Sequence, residues 1–210
     1  MTLRFKLSWL AMFLILPGVP GAQGDDLLTR IWAGVQQAQK KFTTACGTVT
    51  ETRTSRLMVK PMVLHGKFCA QGTTLFTLEY FDPNPIRIRF NENYLNVTTD
   101  GDKTEILEVG GAVRRAQSSF SQENSIENLK KSFTITVKED SRDFEMKFVP
   151  RTETFRRRLN YMVVKLGKRD FLPRSLEVDG KSGVNSVFAI DVSTVNTKLP
   201  AEMFEVIKPK

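Results

Sequence analysis

The sequence is poor in the side chains that most catalytic centres use. It contains one histidine, His65, and two cysteines, Cys46 and Cys69. With a single histidine, a Ser/His/Asp triad is not credible and a histidine-based metal cluster cannot form. No pair of acidic residues stands out for acid–base chemistry. Gly110-Gly111 lacks the spacing and the lysine of a phosphate loop. We therefore expect a protein that is not an enzyme and holds neither cofactor nor metal.

Long apolar runs are absent, apart from one short run at the N-terminus. It extends from Leu7 to Leu16, follows two basic residues and precedes small residues at Ala22 and Gly24. A retained membrane anchor is the alternative, but about ten residues are half of what a bilayer core requires. The three parts match a secretory signal, so we predict removal of residues 1–24 and a periplasmic location.

The remainder, residues 25–210, is predicted to form a single domain, since it shows no repeat, linker or change in composition. The whole chain has a formal net charge of +8, and the basic excess persists beyond the signal. Such an excess fits anionic lipid head groups, an acidic partner or simply a solvated basic surface. The excess also fits nucleic acid, but predicted export argues against that partner, and we expect none. In an oxidising compartment we predict a disulfide between Cys46 and Cys69, which lie at the edges of consecutive predicted strands.

Apolar residues recur at helical spacing from Asp25 to Phe42 and then at every second position. The first pattern predicts an amphipathic helix and the second predicts strands with one apolar and one polar face. A second helix is predicted near residues 117–131, and a final turn over Pro200–Phe204. Further strands are predicted over Thr48–Met58, Leu64–Cys69, Leu75–Tyr80, Ile86–Phe90, Tyr94–Thr98, Thr104–Val109, Phe133–Val137, Phe144–Phe148, Leu159–Leu166, Arg174–Val178 and Phe188–Val192.

One long segment carries a family resemblance. From Gly66 to Pro83 a glycine, a hydrophobic strand, a tight turn, an aromatic-rich strand and a proline-containing loop follow one another. The chain closes on Leu199-Pro200-Ala201-Glu202-Met203-Phe204, a small-acidic-x-Phe step before the last strand. With the order of helix, strands, helix and strands, these features resemble the outer-membrane lipoprotein carrier family (LolA-type proteins). Two departures are evident: Gln71-Gly72 stands where the family often has a basic residue, and Phe68-Cys69 where it typically has tryptophan.

The resemblance implies an α+β fold, mostly antiparallel, forming an unclosed half-barrel whose helices cover an apolar concave face. It further implies that acyl chains of lipoproteins or related lipids bind in this cavity and are carried between membranes. An inner-membrane transporter would be the donor and an outer-membrane component the acceptor, and we expect a monomer. The cavity lining is predicted to comprise Leu28, Trp32, Phe68, Phe76, Leu78, Tyr80, Ile86, Ile88, Phe90, Phe133, Ile135, Phe144, Met146, Phe148, Phe188 and Ile190. The alternative for each is a place in an ordinary packed core.

Arginines cluster in one further segment. Arg151 is followed closely by Arg156, Arg157 and Arg158. This cluster is a candidate docking patch for lipid phosphate or an acidic partner, and the alternative is a solvated loop or a charge-guarded edge strand. A second functional hypothesis is a periplasmic lipid-binding sensor or accessory subunit that does not shuttle. The missing basic residue at Gln71-Gly72 and the arginine cluster make that alternative reasonable, and the carrier remains the first hypothesis.

Overall fold

A computed structural model describes residues 20–72, 74–91, 93–99, 103–108 and 126–208. Within these ranges the chain forms three α-helices, one 3₁₀ turn over Ala201–Phe204 and a single sheet. The helices are α1 (Pro20–Lys41), α2 (Ile126–Ser132) and α3 (Glu153–Arg156). The strands are β1 (Thr44–Ser55), β2 (Met62–Gln71), β3 (Leu75–Asp82), β4 (Ile86–Phe90), β5 (Tyr94–Thr99), β6 (Lys103–Glu108), β7 (Phe133–Glu139), β8 (Asp143–Pro150), β9 (Leu159–Gly167), β10 (Pro173–Gly180) and β11 (Val184–Val195).

The sheet is antiparallel and open. Its strand order is β6-β5-β4-β3-β2-β1-β11-β10-β9-β8-β7. Every neighbouring pair except β1–β11 is also consecutive along the chain, so two meanders meet where the first and last strands pair. Within the described chain β6 and β7 are the edges, and they do not pair with each other. The predicted unclosed, mostly antiparallel architecture is therefore confirmed.

The two faces of the sheet differ as the period-two pattern predicts. Register aligns Leu64, Leu78 and Phe148 on one side, here called the apolar face, because alternate residues of paired strands share a face. The other side, the polar face, carries threonines and charged residues such as Lys67 and Glu79, which are directly opposite each other on β2 and β3. One face can therefore be buried while the other meets water.

Helix α1 lies against one half of the apolar face. Leu28, Ile31 and Trp32 recur at helical spacing and are all buried, with Ile31 fully so. Leu28 and Ile31 pack with residues of β7, β8 and β9. The helix begins at Pro20, earlier than the predicted start at Asp25, so its first turn falls inside the predicted signal. Cleavage after residue 24 stays a prediction.

Other elements also differ from the sequence-based expectations. Strand β1 extends over Thr44–Ser55, where Thr48–Met58 was predicted. Of the second helix, residues 126–132 are helical, and the predicted portion before them lies outside the described residues. The segment Glu153–Arg156 is a short helix, where a loop or an edge strand was expected, because four residues are too few to show helical periodicity. The final turn is confirmed over Ala201–Phe204. Beyond it, Asn96 and the backbone of Ile207 bond each other in both directions, which fixes the C-terminal segment beside β5.

Cys46 and Cys69 are directly opposite each other on β1 and β2 and form the predicted disulfide. The bond closes a loop with a sequence separation of 23. Chain entropy alone would give such a cross-link about 3 kcal/mol, and residual hairpin structure in the unfolded chain reduces that value. We expect the double substitution Cys46→Ser/Cys69→Ser to lower the free energy of unfolding by about 2 kcal/mol in urea titrations. If a reducing agent changed the unfolding free energies of the unaltered protein and of the double variant equally, this expectation would be contradicted.

Candidate functional site

The predicted lining residues of the strands all lie on the apolar face. Register places Phe68 opposite Leu78, Leu78 opposite Ile88, and Ile135 opposite Phe148, so the rows continue from strand to strand. Leu28 and Trp32 of α1 are buried as well. The structure therefore places the strand members of the predicted set on one surface, but the two halves of that surface differ in how completely they are covered.

The half covered by α1 is a packed core. Leu28 and Ile31 join buried residues of three strands in one cluster: Phe133, Phe144, Met146, Phe148 and Leu166. Phe133 meets Phe148 edge to face, with ring centroids 5.9 Å apart. These predicted lining residues therefore lie in an ordinary packed core, which was the alternative to a cavity lining. Helix α1 of the same chain fills the space above them.

The other half of the apolar face is covered less completely. Here Val49, Leu64, Leu78 and Tyr80 are buried. Large apolar side chains around them keep part of their surface accessible, and Phe68 and Phe76 stack with centroids 6.5 Å apart. This region is called the open half, and its half-buried members are Phe68, Phe76, Ile86, Ile88, Phe188 and Ile190. Accessible apolar surface of this kind suits an apolar ligand.

An ion pair interrupts the apolar row of β1, and sequence reasoning missed it. Glu51 is 1% exposed, although it occupies a position opposite Leu64 and Phe188. Arg53 binds it side-on: its Nε lies 2.5 Å from Oε1 and its Nη2 lies 2.9 Å from Oε2. The hydroxyl of Tyr80 donates to Oε2. The sequence did contain a signal for this pair: Glu51 and Arg53 follow Val49 at alternate positions, so two charged residues of opposite sign occupy the apolar face of β1.

Gly66 allows Tyr80 to reach this carboxylate. Tyr80 is on β3, and Gly66 lies opposite it on the intervening strand β2. A Cβ built on Gly66 would come within 3.0 Å of Cδ1 of Tyr80 and 2.7 Å of the Glu79 carbonyl oxygen. The missing side chain thus leaves room for the phenol ring to cross β2 towards Glu51.

Burial and hydrogen bonding act on the pKa of Glu51 in opposite directions. Desolvation raises this pKa, but hydrogen bonds from Arg53, Tyr80 and Ser186 outweigh it, so the pKa lies below the ordinary value of 4.5. Burial and the neighbouring carboxylate raise the pKa of Tyr80, which keeps the phenol protonated as a donor. Glu51 is therefore a charged acceptor at neutral pH.

This lowered pKa makes a testable contribution to acid stability. A carboxyl whose folded pKa is depressed stabilises the fold above its unfolded pKa, and this stability is lost as pH falls through the folded pKa. We expect the difference in unfolding free energy between the protein and Glu51→Gln to shrink as pH falls below about 4.5. Urea titrations from pH 7 to pH 3 measure it. A difference that stays constant over this range would refute the assignment.

The four arginines of the predicted docking patch surround α3. Arg156 donates to the carbonyl of Arg151, and Arg151 donates to the carbonyl of Lys130. Arg157 pairs with Glu153 at 3.0 Å, and Arg158 is exposed. Two of the four thus bind backbone carbonyls, while all remain exposed on the surface. The patch stays a prediction.

A concavity with a volume of about 560 Å³ lies partly on the polar face of the sheet. Its lining includes the disulfide and the cluster in which Glu79 pairs with Lys67 at 3.2 Å and with Arg87 at 2.6 Å. Among the described residues no group of three potential metal ligands occurs. No described helix is long and apolar enough to cross a bilayer.

The fold and the site together define the class: an open antiparallel half-barrel in which, within the described ranges, helix α1 covers one half of the apolar face. No protein-family model matches the chain. No curated protein matches it in sequence. Solved structures do resemble it, as an uncharacterized conserved protein from Thermus thermophilus illustrates, with 13% identity, a TM-score of 0.53 and coverage of 87% of this chain and 95% of that chain.

Two further likenesses concern proteins with informative descriptions. A LolA superfamily protein from Nitrosomonas europaea is 10% identical, with a TM-score of 0.45 and coverage of 85% of this chain and 97% of that one. The MucA/MucB complex of Pseudomonas aeruginosa contains a chain that is 10% identical, with a TM-score of 0.43 and coverage of 88% and 61% respectively. LolA superfamily proteins are thus among the structures that this chain resembles, as its sequence predicted. At these identities the likeness concerns the fold alone, and the Thermus comparison carries it.

Proposed function

We propose that this protein is a periplasmic carrier that binds acyl chains of lipoproteins or related lipids on the open half of its apolar face. The supporting observation is the set of half-buried apolar side chains around Leu78, which includes Phe76 and Ile88. Each methylene of a ligand that leaves water against such a surface contributes roughly 0.8 kcal/mol. The proposal involves binding and release without a chemical step.

The contrast within one face supports this proposal. Ile31 of α1 and Phe148 of the sheet beneath it are fully buried, whereas the open half holds large side chains that remain partly accessible. A sheet face that served only as a core would gain from complete cover along its whole width, because accessible apolar surface contributes nothing to stability. Partial cover of this kind suits a ligand that binds reversibly.

The remaining parts of the proposal concern compartment and partners. The predicted signal over residues 1–24 and the disulfide between Cys46 and Cys69 both favour the oxidising periplasm. Transfer from an inner-membrane transporter to an outer-membrane acceptor would require docking surfaces. The exposed arginines around α3 are the candidate patch for an acidic partner.

Native mass spectrometry of detergent-free protein exported to the periplasm tests the binding. We expect satellite masses of lipid or acylated peptide, and their loss in Phe76→Glu or Ile88→Glu, since a carboxylate on this surface opposes apolar burial. Val187→Glu is the matched control, because Val187 is 39% exposed and lies on the polar face. A single apo mass, unchanged after addition of phospholipid or acylated lipoprotein, would rule out the binding function.

A transfer assay separates the carrier from a sensor that does not shuttle. Donor vesicles carrying a fluorescent acylated peptide are mixed with acceptor vesicles and catalytic amounts of protein. A carrier raises the transfer rate in proportion to its concentration, and Phe76→Glu abolishes the increase. Binding in native mass spectra without any increase in transfer would instead favour the sensor or accessory subunit.

A further inference from the structure

The ion pair of β1 lies within the apolar face, where the binding of acyl chains does not require charged side chains. Along this strand the apolar face presents Val49, then Glu51, then Arg53. Removing two charges from water costs several kcal/mol per ion in general, and a pair of apolar residues of similar volume often stabilises a fold equally well. The pair therefore invites a role beyond holding β1, β2 and β3 together.

The guanidinium of Arg53 has capacity for a further acceptor. Its side-on contact with Glu51 uses Nε and Nη2, two of the three nitrogens that carry its five N–H donors. Arg53 also interacts with the hydroxyl of Tyr80, more weakly than with Glu51. The side chain of Arg53 is 34% exposed while that of Glu51 is 2% exposed, so the outer part of the pair reaches solvent. The acid orients the guanidinium, and about a third of the arginine side chain remains accessible to a ligand.

Arg53 also lies at the rim of the open half. It is opposite Met62 on β2 and Ser186 on β11, close to the turns that join β1 to β2 and β10 to β11. These turns carry the exposed cations Arg56, Lys60 and Lys181. Of the nearby acids, Asp179 alternates with Val178 and so faces the polar side, and Asp82 lies at the end of β3, two strands away. The rim is therefore basic.

We propose that Arg53, held in place by its two hydrogen bonds to Glu51, is the head-group anchor of the acyl-chain site. It would bind an anionic oxygen, a phosphate or a carboxylate, of a single- or double-chain amphiphile. The head group would lie at the rim and the acyl chains would extend over Val49, Phe68 and Leu78. This inference rests on the proposed function and narrows it to anionic amphiphiles. Glu51 offsets part of the arginine charge, so the gain is moderate, about tenfold in affinity over a neutral head group.

Displacement of a neutral fluorescent hydrophobe from delipidated protein tests this anchor. The competing ligands share one palmitoyl chain: palmitoyl-lysophosphatidic acid carries a phosphate, palmitic acid a carboxylate and monopalmitoylglycerol no charge. Inorganic phosphate, added alone, tests whether a free anion suffices. The test variant is Glu51→Gln/Arg53→Met, which removes the pair without leaving a lone buried charge. The control is Arg87→Met, which disrupts the Glu79 ion pair on the polar face.

We expect both anionic ligands to bind about tenfold more tightly than monopalmitoylglycerol to the unaltered protein and to Arg87→Met. The double variant should bind all three alike, and its retained binding of monopalmitoylglycerol shows that it is folded. Equal binding of the three by the unaltered protein, or a preference that persists in the double variant, overturns the anchor and leaves the carrier intact. Inorganic phosphate binding as tightly as lysophosphatidic acid overturns it in favour of a free-anion site. Binding of none of the palmitoyl ligands refutes the carrier function itself.

Discussion

Replacing Arg53 with methionine is expected to lower the free energy of unfolding by about 3 kcal/mol at pH 7. The substitution leaves the carboxylate of Glu51, 1% exposed, without its cationic partner. The loss has an upper limit, because the carboxyl can instead take up a proton. From the ordinary pKa of 4.5, protonation at pH 7 costs about 3.4 kcal/mol. Urea titrations monitored by intrinsic fluorescence measure the change.

Two comparisons identify the cause of that loss. Adding Glu51→Gln to the Arg53→Met background should restore at least half of the lost stability, since no lone charge then remains buried. Arg87→Met, which breaks an ion pair whose two side chains are 48% and 31% exposed, should cost less than about 1 kcal/mol. If Arg53→Met were no more destabilising than Arg87→Met, the Glu51–Arg53 pair would contribute no more to stability than an exposed ion pair. The assignment of Glu51 as a buried charge that depends on Arg53 would then be wrong.

The pH dependence of the Arg53→Met variant provides an independent signature. Without arginine, burial of Glu51 is opposed by fewer hydrogen bonds, so its pKa should rise instead of fall. A raised carboxyl pKa destabilises the folded state above the unfolded pKa, and this penalty disappears as pH falls. The variant and the unaltered protein should thus converge in stability below pH 4.5, the ordinary value for this carboxyl.

Phe148→Ala should be the most destabilising single substitution in the packed half, at about 3–5 kcal/mol. Phe148 is 0% exposed and lies in one cluster with Phe133 and with Leu28 and Ile31 of α1. Truncation removes an aromatic ring from water-free surroundings and leaves a cavity that neighbouring strands cannot close. Thermal and urea unfolding, each compared with the unaltered protein, measure the loss.

The matched control for this cavity is the next residue along the same strand. Val149 is 40% exposed and points to the opposite face of β8. Val149→Ala should change the unfolding free energy by no more than about 0.5 kcal/mol. If the two substitutions had equal effects, α1 would not be the cover of a packed half, and the division of the apolar face into two halves would have to be abandoned.

Much of the fold was predictable because its determinants are local. Alternation of the kind seen in Ile86-Arg87-Ile88-Arg89-Phe90 predicts a strand with one apolar face, whatever its neighbours are. The stripe containing Leu28 and Ile31 likewise predicts α1, and short turns between successive strands favour antiparallel neighbours. By contrast, the helix over Glu153–Arg156 is a single turn that packs against β8 and β9. Four residues are too few to show helical periodicity, so the sequence pattern could not predict it.

The site was predictable in composition but not in arrangement. The lining residues follow from alternation, and all those predicted on strands share one face. Their sequence positions could not show that Phe133 and Phe148 lie beneath α1 while Phe76 and Ile88 remain partly accessible. Nor could they show that Glu51 meets Tyr80, because the two residues are brought together only when β3 pairs beside β2 across Gly66.

By itself the sequence determined which residues form strands, which face of each strand is apolar, and that the two cysteines can meet. These properties depend on a residue and its near neighbours, so periodicity records them. Only the tertiary structure decided that β1 pairs with β11, which half of the apolar face α1 covers, and that a glutamate and an arginine form a buried pair within it. Those outcomes depend on which distant segments compete for the same surface, and that competition is resolved by packing of the whole sheet.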